Sequence, residues 1–264
     1  MPATRDAHSV GGHPLRFICK VGTTVAGRQS ANIAMCGRYT LHSSAQEIAR
    51  VFEAQLTAGL EALEPRYNIA PTMAAPVVRV ADTGRVIELM RWGLIPHWSR
   101  EPTTPYSTFN ARGEDAAGKA SYRGPMRYRR CLVPVDGFYE WQKGGGGDGG
   151  GGKQPYLVQL TDERPFALAG LWDVWGDELQ SYTILTTRAN DAMAPIHPRM
   201  PVVIRPADYA RWLDPGVQTP AAVADLLAPP PSGLMKLTAV SRYVNNARNE
   251  GPRCIEPEQR SMFE

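Results

Sequence analysis

The chain has 264 residues, 43% of them hydrophobic, which is enough to bury one sizeable core, and no stretch approaches the ~20 apolar residues that cross a bilayer. Its four cysteines, Cys19, Cys36, Cys131 and Cys254, lie too far apart for a C-x-x-C signature and are too few for a disulfide scaffold, so a reduced, cytoplasmic protein with no metal or cofactor is expected. The net charge of +3 is no guide to a nucleic-acid partner, because residues 1–34 carry Arg5, Arg16, Lys20 and Arg28 against Asp6 and leave 25 basic and 25 acidic residues in 35–264.

Residues 1–34 mix Gly, Ser, Thr and Arg without helical or strand periodicity and read as a disordered leader or as sequence ahead of a misassigned start. Order begins near Met35. Residues 37–41 read as a strand, and Ser44-x-x-Glu47 is a capping box that opens a helix with Ile48 and Phe52 on one face. Short β-rich runs follow at 76–80, 86–91, 131–135, 156–160, 166–171, 182–186 and 202–204, punctuated by Gly, Pro and Asp. Helical stretches are confined to short pieces such as 207–213 and 221–227. Regular βαβ alternation is missing, so the expected fold is α+β, a mostly antiparallel, barrel-like β core with short surrounding helices, in a single domain over 35–264. Glycines at 144–147 and 149–152 flank Asp148 between two strand-like segments; a uniform run fixes no geometry and reads as a hairpin insertion. Any phosphate-binding groove must be local, and the densest arginine group is Arg123, Arg127, Arg129 and Arg130, whose alternative reading is a solvated loop.

Four segments combine reactive side chains with rigidity: Met35-Cys-Gly-Arg-Tyr39, Phe109-Asn-Ala-Arg-Gly-Glu114, Asp136-Gly-Phe-Tyr-Glu-Trp141 and Pro195-Ile-His-Pro-Arg-Met-Pro201. With Pro65-Arg-Tyr-Asn-Ile-Ala-Pro71, Arg91-Trp-Gly-Leu-Ile-Pro96 and Ala239-Val-Ser-Arg242, they resemble, in order, the SRAP family of abasic-site processing proteins, from Cys36 to roughly Glu256. The resemblance implies a cysteine exposed as the first residue, which forms a thiazolidine with an abasic site in single-stranded DNA. It assigns the nucleophile to Cys36, the amine-positioning amide to Asn110, the acid/base carboxylate to Glu140 and the proton donor to His197. Possible self-cleavage and abasic-site lyase activities come with the same family.

The residue types suit that chemistry. Only an N-terminal cysteine offers an aldehyde both an amine, with a pKa of roughly 7.7–8.0 against about 10.4 for lysine, and a thiol near 8.5. Period-2 alternation in 138–141 puts Phe138 and Glu140 on one face and Tyr139 and Trp141 on the other, where aromatic surroundings desolvate a carboxylate. The Asn110 side-chain oxygen can accept from the α-amine. His197 sits in a loop stiffened by Pro195, Pro198 and Pro201, which can present one imidazole with little disorder. His42 and His97 read as polar surface, and Cys131 as core. Arg38, Arg112, Arg199 and Arg242 lie in or beside the motifs and are the expected phosphate contacts, with Trp92, Trp98 and Phe109 as candidate base-stacking platforms. The expected partner is single-stranded DNA containing abasic sites, met by a monomer, and no membrane. The amine exists only if Met35 is the true initiator or residues 1–35 are removed. Two rivals remain: a cysteine-dependent amidohydrolase using Cys36, His197 and Asn110, which tolerates an N-terminal extension, and a non-catalytic DNA-binding module, which is indifferent to Cys36→Ala.

Overall fold

The computed structural model describes residues 37–144, 152–176 and 178–259; the leader at 1–34, Cys36 and most of the glycine tract lie outside the described residues. In chain order the strands are β1 (Arg38–Leu41), β2 (Gln55–Leu56), β3 (Arg66–Ile69), β4 (Ala74–Ala81), β5 (Gly84–Trp92), β6 (Asn110–Arg112), β7 (Arg130–Val135), β8 (Gly137–Gln142), β9 (Gln154–Leu160), β10 (Phe166–Trp175), β11 (Leu179–Arg188), β12 (Arg199–Pro201), β13 (Val203–Ile204) and β14 (Met235–Ala239). The α-helices are α1 (Ala45–Phe52), α2 (Gly113–Ala116), α3 (Ala120–Tyr128) and α4 (Tyr209–Leu213). None is long and apolar enough to cross a membrane.

The apolar runs build a closed barrel. Antiparallel pairing joins β5 to β4, β4 to β7, β7 to β10 and β10 to β11, and a short parallel pairing of β11 with β5, Ser181 with Arg91 and Tyr182 with Trp92, closes the ring. Closure removes the open edges that would otherwise template aggregation. Its interior packs Val77, Met90, Val133, Leu168 and Ile184, all at most 1% exposed. A second, antiparallel sheet runs β14-β9-β8-β1-β3. The architecture is thus α+β, with a mostly antiparallel barrel and short peripheral helices.

One residue, Asp136, separates barrel strand β7 from β8 in the second sheet. Its buried carboxylate accepts from the backbone N–H groups of His42 and Ser43 and from the Ser43 hydroxyl, so it pins the β1–α1 connection at the same crossing. Gly137 follows because a Cβ there would lie 2.9 Å from Leu157 and Gln159 side chains and 3.0 Å from the Val158 carbonyl oxygen, closer than packed atoms approach. Helix α1 forms as its capping box directs: Ser44 accepts from the Glu47 N–H, and Ala45, Ile48 and Phe52 are buried.

Residues 121–130 differ from expectation. They form helix α3 and the start of β7, because Ser121, Tyr122, Pro125 and Met126 make a buried stripe. Arg130 is buried and donates to the carbonyls of Trp212, Met126 and Asp214, while Arg129 pairs with Asp173. Only Arg123 and Arg127 of this cluster are exposed, so it forms no four-arginine phosphate groove.

Candidate active site

Strand β8 divides its side chains as the alternation requires. Phe138 enters the main core, whereas Tyr139 and Trp141 pack with Val240, Val244 and Cys254 in a smaller cluster. Glu140, on the Phe138 side, is 2% exposed and stands opposite Tyr156 of β9; its Oε1 accepts from the Trp141 N–H at 3.1 Å. Neighbouring β1 pairs Tyr39 with Phe138 and Arg38 with Tyr139, and this register carried one step further sets Gly37 level with Glu140.

Asn110 opens β6, which lies parallel to β11 with Asn110 opposite Ile184; the Phe109 carbonyl accepts from the Ile184 N–H at 3.0 Å. A Cβ built on Gly37 would lie 4.0 Å from the Phe109 ring. The described chain therefore begins beside the Phe109 ring and next to the strand that buries Glu140. Beneath it is a rigid aromatic floor. Trp92 is 0% exposed, donates its indole N–H to the Phe109 carbonyl at 2.8 Å and packs against Tyr39, Tyr182 and the edge of Phe109. The Tyr39 and Tyr182 hydroxyls meet at 2.6 Å, and burial pushes both phenols far above their ordinary range, so the pair stays neutral. Trp92 is thus no stacking platform: the indole is core, where an unexposed ring cannot meet a base.

The third wall is the 195–201 segment. Gln142, two residues beyond Glu140, donates to the Pro195 carbonyl at 3.2 Å and ties this segment to the end of β8. The expected proline-stiffened loop ends in a strand: Arg199–Pro201 is β12, an edge strand on β11, where proline is tolerated. His197 is half-buried at the entry to that strand. Its Nδ1 lies 3.1 Å from both the N–H and the carbonyl oxygen of Arg199. An unprotonated Nδ1 accepts from the first and an Nδ1–H donates to the second, so the same ring orientation suits either tautomer.

These segments meet in a chain that matches the family model for SOS response associated peptidase (SRAP) over residues 35–247. The chain belongs to the SRAP family. It is 34% identical over 226 residues to a Bacillus subtilis (strain 168) protein named abasic site processing protein YoqW, covering 84% of this chain and 99% of that one. It is 35% identical over 290 residues to a Gallus gallus protein named abasic site processing protein HMCES, covering 96% of this chain and 77% of the relative. Among solved structures, a protein from Bacteroides thetaiotaomicron shares the fold with a TM-score of 0.73 at 24% identity, over 85% of this chain and all of the other.

The arginines expected in this SRAP chain to grip phosphate divide into two pairs. Arg38 is half-buried and donates to Asn68 Oδ1 at 2.9 Å and to the Val244 carbonyl at 2.9 Å; burial lowers its pKa. Arg199 makes a bidentate pair with Glu114. Arg112 and Arg242 are exposed, and Arg242 lines a cavity of about 740 Å³ with Ser241, Arg253 and residues 256–259. Trp98 is 52% exposed on a turn whose His97 is held by Asp173, so His97 is anchored surface, not free surface. Cys131 is fully buried, as expected for a core thiol, and Cys254 is fully buried as well. Sequence reasoning assigned no role to Asp136, Glu114 or Thr186. The first two stand inside quoted motifs, which was their only signal, whereas Thr186 in an apolar run gave none.

Proposed function

We propose that the protein processes abasic sites in DNA by trapping them covalently on Cys36, in single-stranded DNA, once Cys36 carries a free amino group. The observation that carries this reading is the position of Gly37, next to the Phe109 ring that precedes Asn110 and level with the buried Glu140, with the His197 segment fastened to the same strand. The two relatives named as abasic site processing proteins, one bacterial and one from a bird, support it.

The ring-opened abasic sugar presents an aldehyde. The α-amine of Cys36 adds to it and the adduct loses water to an imine; Sγ then adds to the imine carbon while the thiol proton passes to nitrogen. Aldehyde plus aminothiol give thiazolidine plus one water. In this scheme Asn110 accepts from the amine and aims its lone pair. Glu140 takes the amine proton and returns one to the departing hydroxyl, and His197 protonates the sugar ring oxygen during opening. Arg112 and Arg242 are the foremost phosphate contacts, and Trp98 the base-stacking platform. With residues 1–35 attached, the nitrogen is an amide and no imine forms. In this reading the working protein starts at Cys36, through initiation at Met35 and methionine removal or through cleavage after Met35; the peptidase label of the family supports self-cleavage as one of these routes. Assistance of β-elimination by His197 is the corresponding lyase reading.

The test mixes protein beginning at Cys36, and the full 264-residue chain, with single-stranded DNA bearing one abasic site, followed by a denaturing gel. The expected result is a heat-resistant shifted band from the first form, lost in Cys36→Ala. No band from the Cys36-initiated form removes the proposal.

A further inference from the structure

Asn68 is fully buried in β3, one residue before the Ile69 that pairs with Tyr39 of β1. Its Nδ2 donates to the carbonyls of Asn249 at 2.9 Å, Asn246 at 3.0 Å and Val244 at 3.3 Å, all in the segment that follows β14, and its Oδ1 accepts from Arg38 Nη1 at 2.9 Å. The three carbonyls fix which way the amide faces, since turning it over would set oxygen against oxygen. Arg38 Nη1 also donates to the Val244 carbonyl at 2.9 Å, and Nη2 reaches the Asn245 carbonyl at 3.4 Å. The guanidinium carbon lies 5.8 Å from the centre of the Trp141 ring, whose indole N–H donates to Asn245 Oδ1 at 2.7 Å. A guanidinium carries five N–H groups in one plane, so these contacts fix the plane and leave the Nε–H and one Nη2–H to point elsewhere. All three of its acceptors are neutral, so the cation is oriented without being neutralised.

We propose that Asn68 is a positioning residue for DNA: together with residues 244–249 it aims Arg38 so that the free edge of the guanidinium meets a phosphate flanking the abasic nucleotide. The inference rests on the reading above that the abasic site is trapped on Cys36, two residues ahead of Arg38 in the chain. Arg38 stands opposite Tyr139, the neighbour of Glu140, so a nucleotide held at the site brings its own phosphates toward this side chain. A guanidinium held in advance gives up little rotamer freedom when DNA arrives, which a long side chain loose in solvent would have to surrender. The chemistry also explains why an amide stands at position 68. A carboxylate there would hold Arg38 but cancel the charge that phosphate needs, and it would set acceptors against the Val244, Asn246 and Asn249 carbonyls.

The test measures non-covalent affinity for single-stranded DNA bearing one abasic site, at several salt concentrations, in protein that begins at residue 36 and carries Cys36→Ala. Compared in that background are the parent, Asn68→Ala, Arg38→Ala, their double variant and Arg38→Lys, with crosslinking by wild type run alongside and a melt confirming that each variant is folded. Asn68→Ala and Arg38→Ala each weaken binding roughly tenfold, the scale of one charge-assisted hydrogen bond. Arg38→Ala lowers the slope of log affinity against log salt by about one, Asn68→Ala moves it the same way, and the double variant binds no more weakly than Arg38→Ala. Arg38→Lys keeps the charge, but a single ammonium cannot hold Asn68 and the Val244 carbonyl and still turn a planar edge to phosphate, so its affinity falls toward that of Arg38→Ala. A purely structural Asn68 lowers the melt and leaves the affinity and salt slope of the folded protein unchanged, which overturns the inference, as does a loss that adds in full to that of Arg38→Ala. Should Asn68→Ala not fold, Arg38→Lys decides: binding at the parent level shows that charge suffices without aim and overturns the inference, and binding near the Arg38→Ala level upholds it. These outcomes beside a crosslinking wild type leave the function standing, whereas a wild type that fails to crosslink removes the function reading and the inference with it.

Discussion

Two acids, Glu140 on β8 and Asp173 on β10, are almost equally buried, at 2% and 1% exposure, yet their surroundings differ in kind. Asp173 accepts from the Arg129 guanidinium, from the backbone N–H and Nδ1 of His97, both at 3.0 Å, and from the Val174 N–H at 2.9 Å. It is a joint, fastening the turn after β5 and the end of α3 to the barrel wall. Glu140 sits where the entry at Gly37, the Phe109-Asn110 segment and the His197 segment converge. Burial of a carboxylate therefore marks no function by itself; what distinguishes the two is which chain segments the acid faces.

Exchanging each acid for its amide should separate the two roles. Glu140→Gln should slow crosslinking by on the order of 10²-fold or more, the scale of a lost acid/base, while the melting temperature barely moves. Asp173→Asn should do the reverse, lowering stability by about 1–3 kcal/mol through lost charge-assisted bonds, with the folded fraction crosslinking within about twofold of wild type. Gel time courses and thermal melts on the same samples decide it. Wild-type crosslinking by Glu140→Gln would dismiss the distinction.

The same contrast explains what could be read from the chain alone. Strands β4, β5, β7, β10 and β11 were legible because each is a run of apolar residues bounded by turn formers, and α1 because its cap and buried face agree. Strands β6 and β12 were not. Each is three residues long, taken from a polar motif, and exists because β11 offers a neighbour, which is tertiary information. Helix α3 was hidden differently: its arginines suggested a surface loop, although Tyr122 and Met126 stand four residues apart on a buried face. The burial of Glu140 was legible from its strand period and aromatic neighbours. The Glu114–Arg199 pair was not, since residues 85 positions apart carry no mark of contact.

The tryptophans repeat the contrast on a smaller scale, between a buried and an exposed position. Trp92→Phe removes the bond to the Phe109 carbonyl from the floor and should cost about 1–2 kcal/mol of stability, with DNA affinity of the folded protein unchanged. Trp98→Ala, on its exposed turn, should leave the melt alone and weaken affinity for single-stranded DNA by about 1 kcal/mol. Arg112→Ala should reduce the slope of log affinity against log salt by roughly one counterion. Fluorescence anisotropy titrations at several salt concentrations read both effects. A loss of affinity in Trp92→Phe at full folding would return that residue to the interface.

The smallest effect concerns the thiols, where burial predicts low reactivity. Burial, reinforced by Glu250 and opposed by Arg38, pushes the Cys254 thiol up to about 11, and burial pushes Cys131 well above its ordinary value. Protein beginning at Cys36 and treated briefly with iodoacetamide at pH 7.5 should therefore gain one label, on Cys36, by intact mass and peptide mapping. The same shifts make stability alkali-sensitive. A raised folded pKa means that the native state holds its proton more tightly than the unfolded chain. The contribution is complete below the unfolded value near 8.5 and is lost as pH rises through about 11 for Cys254. Cys254→Ala should flatten part of the decline in denaturant midpoint between those limits, leaving what remains to Cys131 and the buried phenols of Tyr39 and Tyr182. A decline identical in the variant would show that the Cys254 thiol is not protected by its burial.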